Sequence, residues 1–230
     1  LYVAKFRGAG QGSRALVAEL VVGELARAAG LRVPELALVE LPPAIGRSEP
    51  DAEIRELLLK SAGLNLAMGY LEGALPFDVA AQPDVDGALA SALVAFDAFV
   101  INVDRTPRNP NLLWWRGDLW LIDHGAALYW HHGWEPGPDG RGVPESGARP
   151  FPHIRDHALL PWADRLPEAG EALRRRMTDA LLARVVALIP GAWLSGAEGL
   201  RDAYAVWLAA RRDATATFIE EAIHARAQRV

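Results

Sequence analysis

Asp104 and Asn109 stand five positions apart in the stretch FVINVDRTPRNPNLLWWRGDLWLIDHGAALYW (residues 99–130), and Asp123 closes the Trp-rich runs that follow. The chain has four asparagines, and three of them, Asn102, Asn109 and Asn111, fall within ten residues of this stretch. Asx-type turns alone can account for such a cluster. The order of the residues says more. "NLLWWR" and "LWLID" read as a hairpin around a Gly117-Asp118 turn, so the second strand returns Asp123 beside the loop that holds Asn109. Two carboxylates and one amide oxygen in one place are hard ligands, suited to magnesium and its phosphates rather than to zinc. One carboxylate stays free to orient or deprotonate a hydroxyl, which is the division of labour in phosphoryl transfer.

Such chemistry also needs a cation for the phosphates. Of 24 basic residues only Lys5 and Lys60 are lysines, so each stands out against an arginine-rich background. Lys5 ends the strand-like alternation of "LYVAKF", and a helical pattern over "ALVAELVVGELARAAG" carries Glu19. A strand lysine held by a helix glutamate presents a compact ammonium that can reach two phosphate oxygens. Each residue alone also fits an ordinary exposed surface, and Glu24, five positions further on, is the competing partner for Lys5.

The elements that must position these residues can be read from periodicity. After the glycine-rich turn "RGAGQGSR" and the helix ending at Gly30, "LRVPELALVEL" reads as a strand, Pro42 to Pro50 as a loop and "DAEIRELLLKSAG" as a short helix. "LNLAMGYLEG" reads as a strand running into a connector near residues 73–83. A long apolar helix follows over "DVDGALASALVAFDAFVINV", then the hairpin, an irregular Gly-, Pro- and His-rich loop over 130–152, and two amphipathic helices, Pro167–Ile189 and Gly199–Arg226. The pattern is a small α/β lobe followed by a mostly helical one. With 230 residues, half of them hydrophobic, the chain can bury a real core. The net charge of -5 argues against a general nucleic-acid binder, and no direct nucleic-acid binding is expected. The longest apolar run, around Ala88–Ile101, is interrupted by Ser91 and Asp97, so no membrane span is expected. The absence of cysteine excludes disulfides, thiolate metal sites and a thiol nucleophile, and fits a cytoplasmic protein. His131, His132, His153 and His157 lack metal-ligand spacing, and Trp114, Trp115 and Trp120 suit the packing of a hairpin.

Taken together, these motifs resemble the protein-kinase-like superfold, and specifically the bacterial HipA-like kinases. Asp104-Arg105-Thr106-Pro107-Arg108-Asn109 has the Asp-x4-Asn spacing of a kinase catalytic loop, and Asp123-His124-Gly125 stands where kinases carry Asp-Phe-Gly. "ELVVGELARAAGLRVPELALVEL" looks like the helix-to-strand segment of that family, and "GYLEG" like its hinge. The resemblance, over about residues 2–123, implies an α+β bilobal fold with an N-terminal nucleotide-binding lobe (1–75) and a helical catalytic lobe (76–230). It implies ATP and Mg2+ as cofactors, and transfer of the γ-phosphoryl group to a hydroxyl, that of a protein Ser or Thr. It makes Asp104 the catalytic base, Asn109 and Asp123 the magnesium ligands, Lys5 the phosphate cation held by Glu19, and Tyr70, Leu71 and Glu72 the hinge against the nucleotide. The loop from Ala126 to Pro161 takes the place of an activation segment, and the family leaves room for a regulatory partner protein.

The chain departs from the pattern in two places. Asn102-Val103-Asp104 replaces the His-Arg-Asp of ordinary protein kinases, and no glycine-rich loop precedes Lys5, so either a phosphate-binding segment lies upstream of Leu1 or that loop has been lost. Two other readings stay open on sequence. The Asp-Arg-x-x-x-Asn form also resembles lipid and small-molecule kinases, and a catalytically inactive pseudokinase module would share the fold.

Overall fold

In the computed structural model, which describes residues 1–10, 12–81, 83–135, 145–194 and 199–228, the chain opens with strand β1 (Tyr2–Lys5). Helix α1 (Ser13–Ala28) follows, with apolar residues on nearly every side, and Leu16, Val17, Val21, Val22 and Leu25 are all buried. It ends at Gly30, whose φ of +88° only glycine adopts without strain. Strand β2 (Leu36–Leu41), the short helix α2 (Pro43–Ser48), helix α3 (Ala52–Lys60) and strand β3 (Gly63–Gly69) complete this part. The sheet order is β1-β3-β2, all antiparallel, with Lys5 opposite Leu66 and Leu66 opposite Leu38.

Two local expectations are corrected here. The strand read from Leu31 begins only at Leu36, because the Arg27 guanidinium takes the carbonyls of Val33 (2.8 Å) and Pro34 (3.1 Å) and Pro34 has no N–H to offer a ladder. The loop read over Pro42–Pro50 contains α2, where Pro43 sets a helical φ in the first turn and Ser48 Oγ donates to the Ile45 carbonyl at 3.0 Å.

A second antiparallel sheet has the order β4-β5-β6, from strands β4 (Leu75–Pro76), β5 (Leu112–Trp115) and β6 (Asp118–Leu121). The hairpin turn is Arg116-Gly117, with φ of +52° and +84°, rather than Gly117-Asp118. Two left-handed residues are what a two-residue turn needs to match strand twist, and Asp118 joins the ladder opposite Trp115. Between β4 and β5 runs α4 (Gly87–Phe99), capped by Asp86, which accepts the Leu89 N–H at 2.8 Å. Being apolar all round, α4 sits at the centre of the core, with Leu93, Val94, Phe96 and Phe99 fully buried.

The remaining helices are α5 (Trp130–Gly133), α6 (Leu166–Arg176), α7 (Asp179–Ala187), α8 (Gly199–Asp213) and α9 (Thr215–Ala227). Each of the two long helices read from periodicity is divided. Thr178 breaks the first by capping α7, its Oγ1 accepting the Leu181 N–H at 3.3 Å. Thr215 breaks the second, its hydroxyl taking the Arg212 carbonyl that a continuous helix would use. Thr178→Ala is expected to lower stability by about 1 kcal/mol, measured by denaturant unfolding. The irregular loop read over 130–152 is described only in part, since 136–144 lie outside the described residues; α5 is its first turn.

The fold is α+β, and its buried apolar residues form one contiguous cluster from α1 through α4 to α9. Arg211 of α8 is wholly buried and closes the C-terminal end of α4, donating to the carbonyls of Ala98 (2.7 Å) and Phe99 (3.3 Å). A cation suits that negative end of the helix, and it fixes the point from which the Asp104 loop departs. Among the described residues no helix is long and apolar enough to cross a membrane.

Candidate active site

The loop carrying Asp104 is built on one buried carboxylate. Asp97, in the last turn of α4, has no exposed surface; its Oδ1 accepts from Asn102 Nδ2 (3.1 Å) and its Oδ2 from Arg105 Nε and His157 Nε2 (2.9 Å). Burial by itself would raise this carboxyl, but the Arg105 guanidinium and the His157 ring hold it well below the ordinary range. The Leu159 N–H donates to His157 Nδ1 at 3.0 Å, which leaves the ring proton on Nε2, facing Asp97. Arg105 then spans the loop, donating to the carbonyls of Pro110 (3.1 Å) and Asn111 (2.7 Å). Its remaining nitrogen lies 3.5 Å from Nδ1 of buried His124, whose pKa burial and then Arg105 pull down to about 3.

Asp104 is oriented by all three asparagines of the cluster. Its backbone N–H donates to Asn102 Oδ1 (3.2 Å), and its Oδ2 accepts from Asn109 Nδ2 (2.7 Å) and Asn111 Nδ2 (3.1 Å). Among the described residues Oδ1 has no partner, so one carboxylate oxygen is held and the other is available. Asn111 has a φ of +50°, and its carbonyl accepts the Ile122 N–H at 3.0 Å, which brings Asp123 alongside. Asp123 itself has a φ of +54°, a strained conformation of the kind that clusters at functional sites.

Lys5 joins this group from β1. Its Nζ binds Glu19 Oε1 and, at 2.8 Å, Asp123 Oδ1, whereas Glu24 lies 3.4 Å from Arg27. Burial of Lys5 works against its charge, yet the two carboxylates raise its pKa above the ordinary value. Glu19 is almost wholly buried, and burial pushes its carboxyl up to about 7 despite the ammonium. For Asp123 burial acts upward, but Lys5 prevails and holds it below the ordinary range. Gly125 permits the approach, since a Cβ there would stand 3.3 Å from Glu19 Oε1 and 3.8 Å from Asp123 Oδ1.

Beside Lys5 opens a cavity of about 350 Å³ between the two sheets, lined by Val3, Met68, Leu113 and Ile122 with Lys5 and Asp123 at its polar side. Tyr70 and Leu71 also line it, and Glu72 is not among its lining residues. The Tyr70 N–H is taken by the Leu1 carbonyl (3.0 Å) and the Glu72 carbonyl by Trp115 Nε1 (2.9 Å). Among the described residues the Leu71 N–H has no such partner.

The donor set fits a hard divalent cation. Asn109 commits its nitrogen to Asp104 and Asp123 commits Oδ1 to Lys5, so among the described residues each keeps one oxygen without a hydrogen-bond donor. No group of three or more His, Cys, Asp or Glu converges among the described residues, and two protein oxygens are what a magnesium site completed by phosphates requires.

Sequence reasoning missed Asp97, Arg105, Asn111, His124 and His157. Asp97 carried a signal, as the one charge in the run from Ala88 to Ile101, which only Ser91 otherwise interrupts. His157 carried none, lying 60 residues from its carboxylate.

The family model for HipA-like kinases matches residues 1–134, more than half of the 230 residues. Comparison with curated proteins and with solved structures gives no match. The matched span runs from β1 through α5 and includes Lys5, Glu19, Asp104, Asn109 and Asp123. The chain therefore belongs to the HipA-like kinase family.

Proposed function

We propose that this protein transfers the γ-phosphoryl group of ATP, with Mg2+, to a hydroxyl, and that the acceptor is a Ser or Thr of another protein. The observation that carries the reading is the convergence of Lys5, Glu19 and Asp123 beside the inter-sheet cavity, next to a loop that leaves one oxygen of Asp104 free. In this reading residues 1–75 bind the nucleotide and residues 76–230 supply the catalytic loop. Val3, Met68, Leu113 and Ile122 enclose the base, and the Leu71 N–H offers it a donor. Lys5, kept cationic by its two carboxylates, neutralises phosphate oxygens. The free oxygens of Asn109 and Asp123 hold the metal, which when bound offsets charge that develops on the phosphates. Asp104 Oδ1 orients the acceptor hydroxyl and takes its proton, while Asn109 and Asn111 keep the carboxylate from turning away. The family relationship supports a protein acceptor.

The test is transfer of γ-labelled phosphate from magnesium-ATP, with the protein alone and with candidate protein acceptors, beside a Lys5→Met variant. Label on protein with the wild type, and nucleotide affinity lowered by about 10- to 100-fold in Lys5→Met, are expected, since a charge-assisted contact contributes about 1.5–3 kcal/mol. Saturable magnesium-ATP binding without transfer to any acceptor would point to a pseudokinase module. Label confined to a small molecule or lipid would replace the protein acceptor.

A further inference from the structure

The segment 147–159 is tied at both ends to the junction from which the Asp104 loop departs. At its start, wholly buried Arg211 of α8 donates to the carbonyls of Gly147 (3.3 Å) and Arg149. The same guanidinium takes the carbonyls of Ala98 (2.7 Å) and Phe99 (3.3 Å), so it joins the segment to the helix whose last turn carries Asp97. Midway, Phe151 and Ile154 are buried, and the Phe151 N–H donates to the Glu221 carboxylate of α9. At the far end His157 Nε2 lies 2.9 Å from Asp97 Oδ2. The next residue, Ala158, donates its N–H to the Arg105 carbonyl at 2.9 Å.

His157 faces Asp97 as a donor, because the Leu159 N–H fills its Nδ1 (3.0 Å) and leaves the proton on Nε2. From Asp97 two routes lead to Asp104. On Oδ1, Asn102 donates its amide (3.1 Å), and its own oxygen accepts the Asp104 N–H (3.2 Å). On Oδ2, Arg105 is held; it carries the Asn111 carbonyl (2.7 Å), and the Asn111 amide reaches Asp104 Oδ2 (3.1 Å). Asn102 and Arg105 belong to the loop and move with it. Among the described residues His157 is the one donor to Asp97 from elsewhere in the chain. A donor from outside fixes the plane of the carboxylate, and with it both routes.

We propose that the segment 147–159 sets the aim of Asp104, and that His157 is the positioning residue through which it does so. The inference rests on Asp104 as the catalytic base. His157 does not line the cavity and acts through Asp97, so its loss should lower turnover and leave nucleotide affinity alone. Displacing the segment from its seat on α9 would have the same effect without touching the nucleotide.

Two substitutions separate positioning from local structure. His157→Gln places an amide nitrogen the same number of bonds from Cβ as Nε2, and so keeps the donor to Asp97 while giving up the Leu159 contact. His157→Asn places an amide oxygen where Nδ1 stood, and so keeps the Leu159 contact but falls short of Asp97. Each loses one hydrogen bond, so a merely structural role would penalise both alike. With γ-labelled magnesium-ATP, kcat should fall at least tenfold in His157→Asn and stay within threefold of the wild type in His157→Gln, with the KM for ATP within twofold in both. A loss in His157→Gln as large as in His157→Asn, or no loss in His157→Asn, overturns the proposal.

The wild type supplies a second test that needs neither folding of the variants nor activity. By native-state hydrogen exchange, the Ala158 and Leu159 amides should open together with those of Asp104 and Asn109, as one cooperative unit. Opening of either pair while the other stays protected overturns the coupling. If the wild type transfers no phosphate to any acceptor, the kinase reading falls, and the exchange experiment still decides whether the segment holds the loop.

Discussion

Asp104→Asn is expected to lower phosphoryl transfer by about 10²–10⁴-fold, the range that a positioned general base supplies, with ATP affinity within twofold of the wild type. The asparagine variant is chosen for what it keeps. Asp104 Oδ2 accepts from the Asn109 and Asn111 amides, and an asparagine oxygen in the same place still accepts both. Loop geometry is thereby retained and basicity removed. Nucleotide binding should not move, because the nucleotide is assigned to Lys5, Asn109, Asp123 and the cavity rather than to Asp104. Single-turnover transfer and an ATP titration on the same sample separate the two effects. Transfer within about threefold of the wild type would remove Asp104 from the mechanism.

Asp97→Ala should cost about 3–5 kcal/mol of stability in denaturant unfolding, the range for removing one partner of a buried ion pair. The variant strands Arg105 and the His157 N–H in an interior with no exposed surface at Asp97, and it frees Asn102 Nδ2 as well. Arg105 also carries the carbonyls of Pro110 and Asn111, so the loss extends to the loop that aims Asp104. The same pair makes stability depend on pH. The folded pKa of Asp97 is depressed, so its contribution is complete above the unfolded value of about 4 and is lost as pH falls through the depressed one. Wild-type stability should therefore decline in acid more steeply than that of Asp97→Asn. A cost below about 1 kcal/mol for Asp97→Ala would mean the network does not hold the loop.

The difference between these two residues shows what could be read in advance. Asp104, Asn109 and Asp123 announce themselves because one loop and the hairpin that follows it put them close in the chain, where spacing is informative. Lys5 stood out through composition, one of two lysines among 24 basic residues. Strand and helix types followed from periodicity, since alternation and helical spacing record which face is buried. Boundaries did not. The divisions at Thr178 and Thr215 depend on hydroxyls competing for single backbone groups, and the late start of β2 depends on where one arginine reaches.

The sequence by itself determined the α+β order of elements, the residue types suited to phosphoryl transfer, and two candidate partners for Lys5. The tertiary structure decided between them: Glu19, on the buried side of α1, meets the ammonium, while Glu24 turns to Arg27. It alone brought His157 to Asp97 and Tyr204 to His131. Local pattern reports burial and backbone preference over a few residues. A buried polar group, by contrast, must find its partner wherever packing brings one, and the cost of leaving it unpaired makes those distant contacts specific.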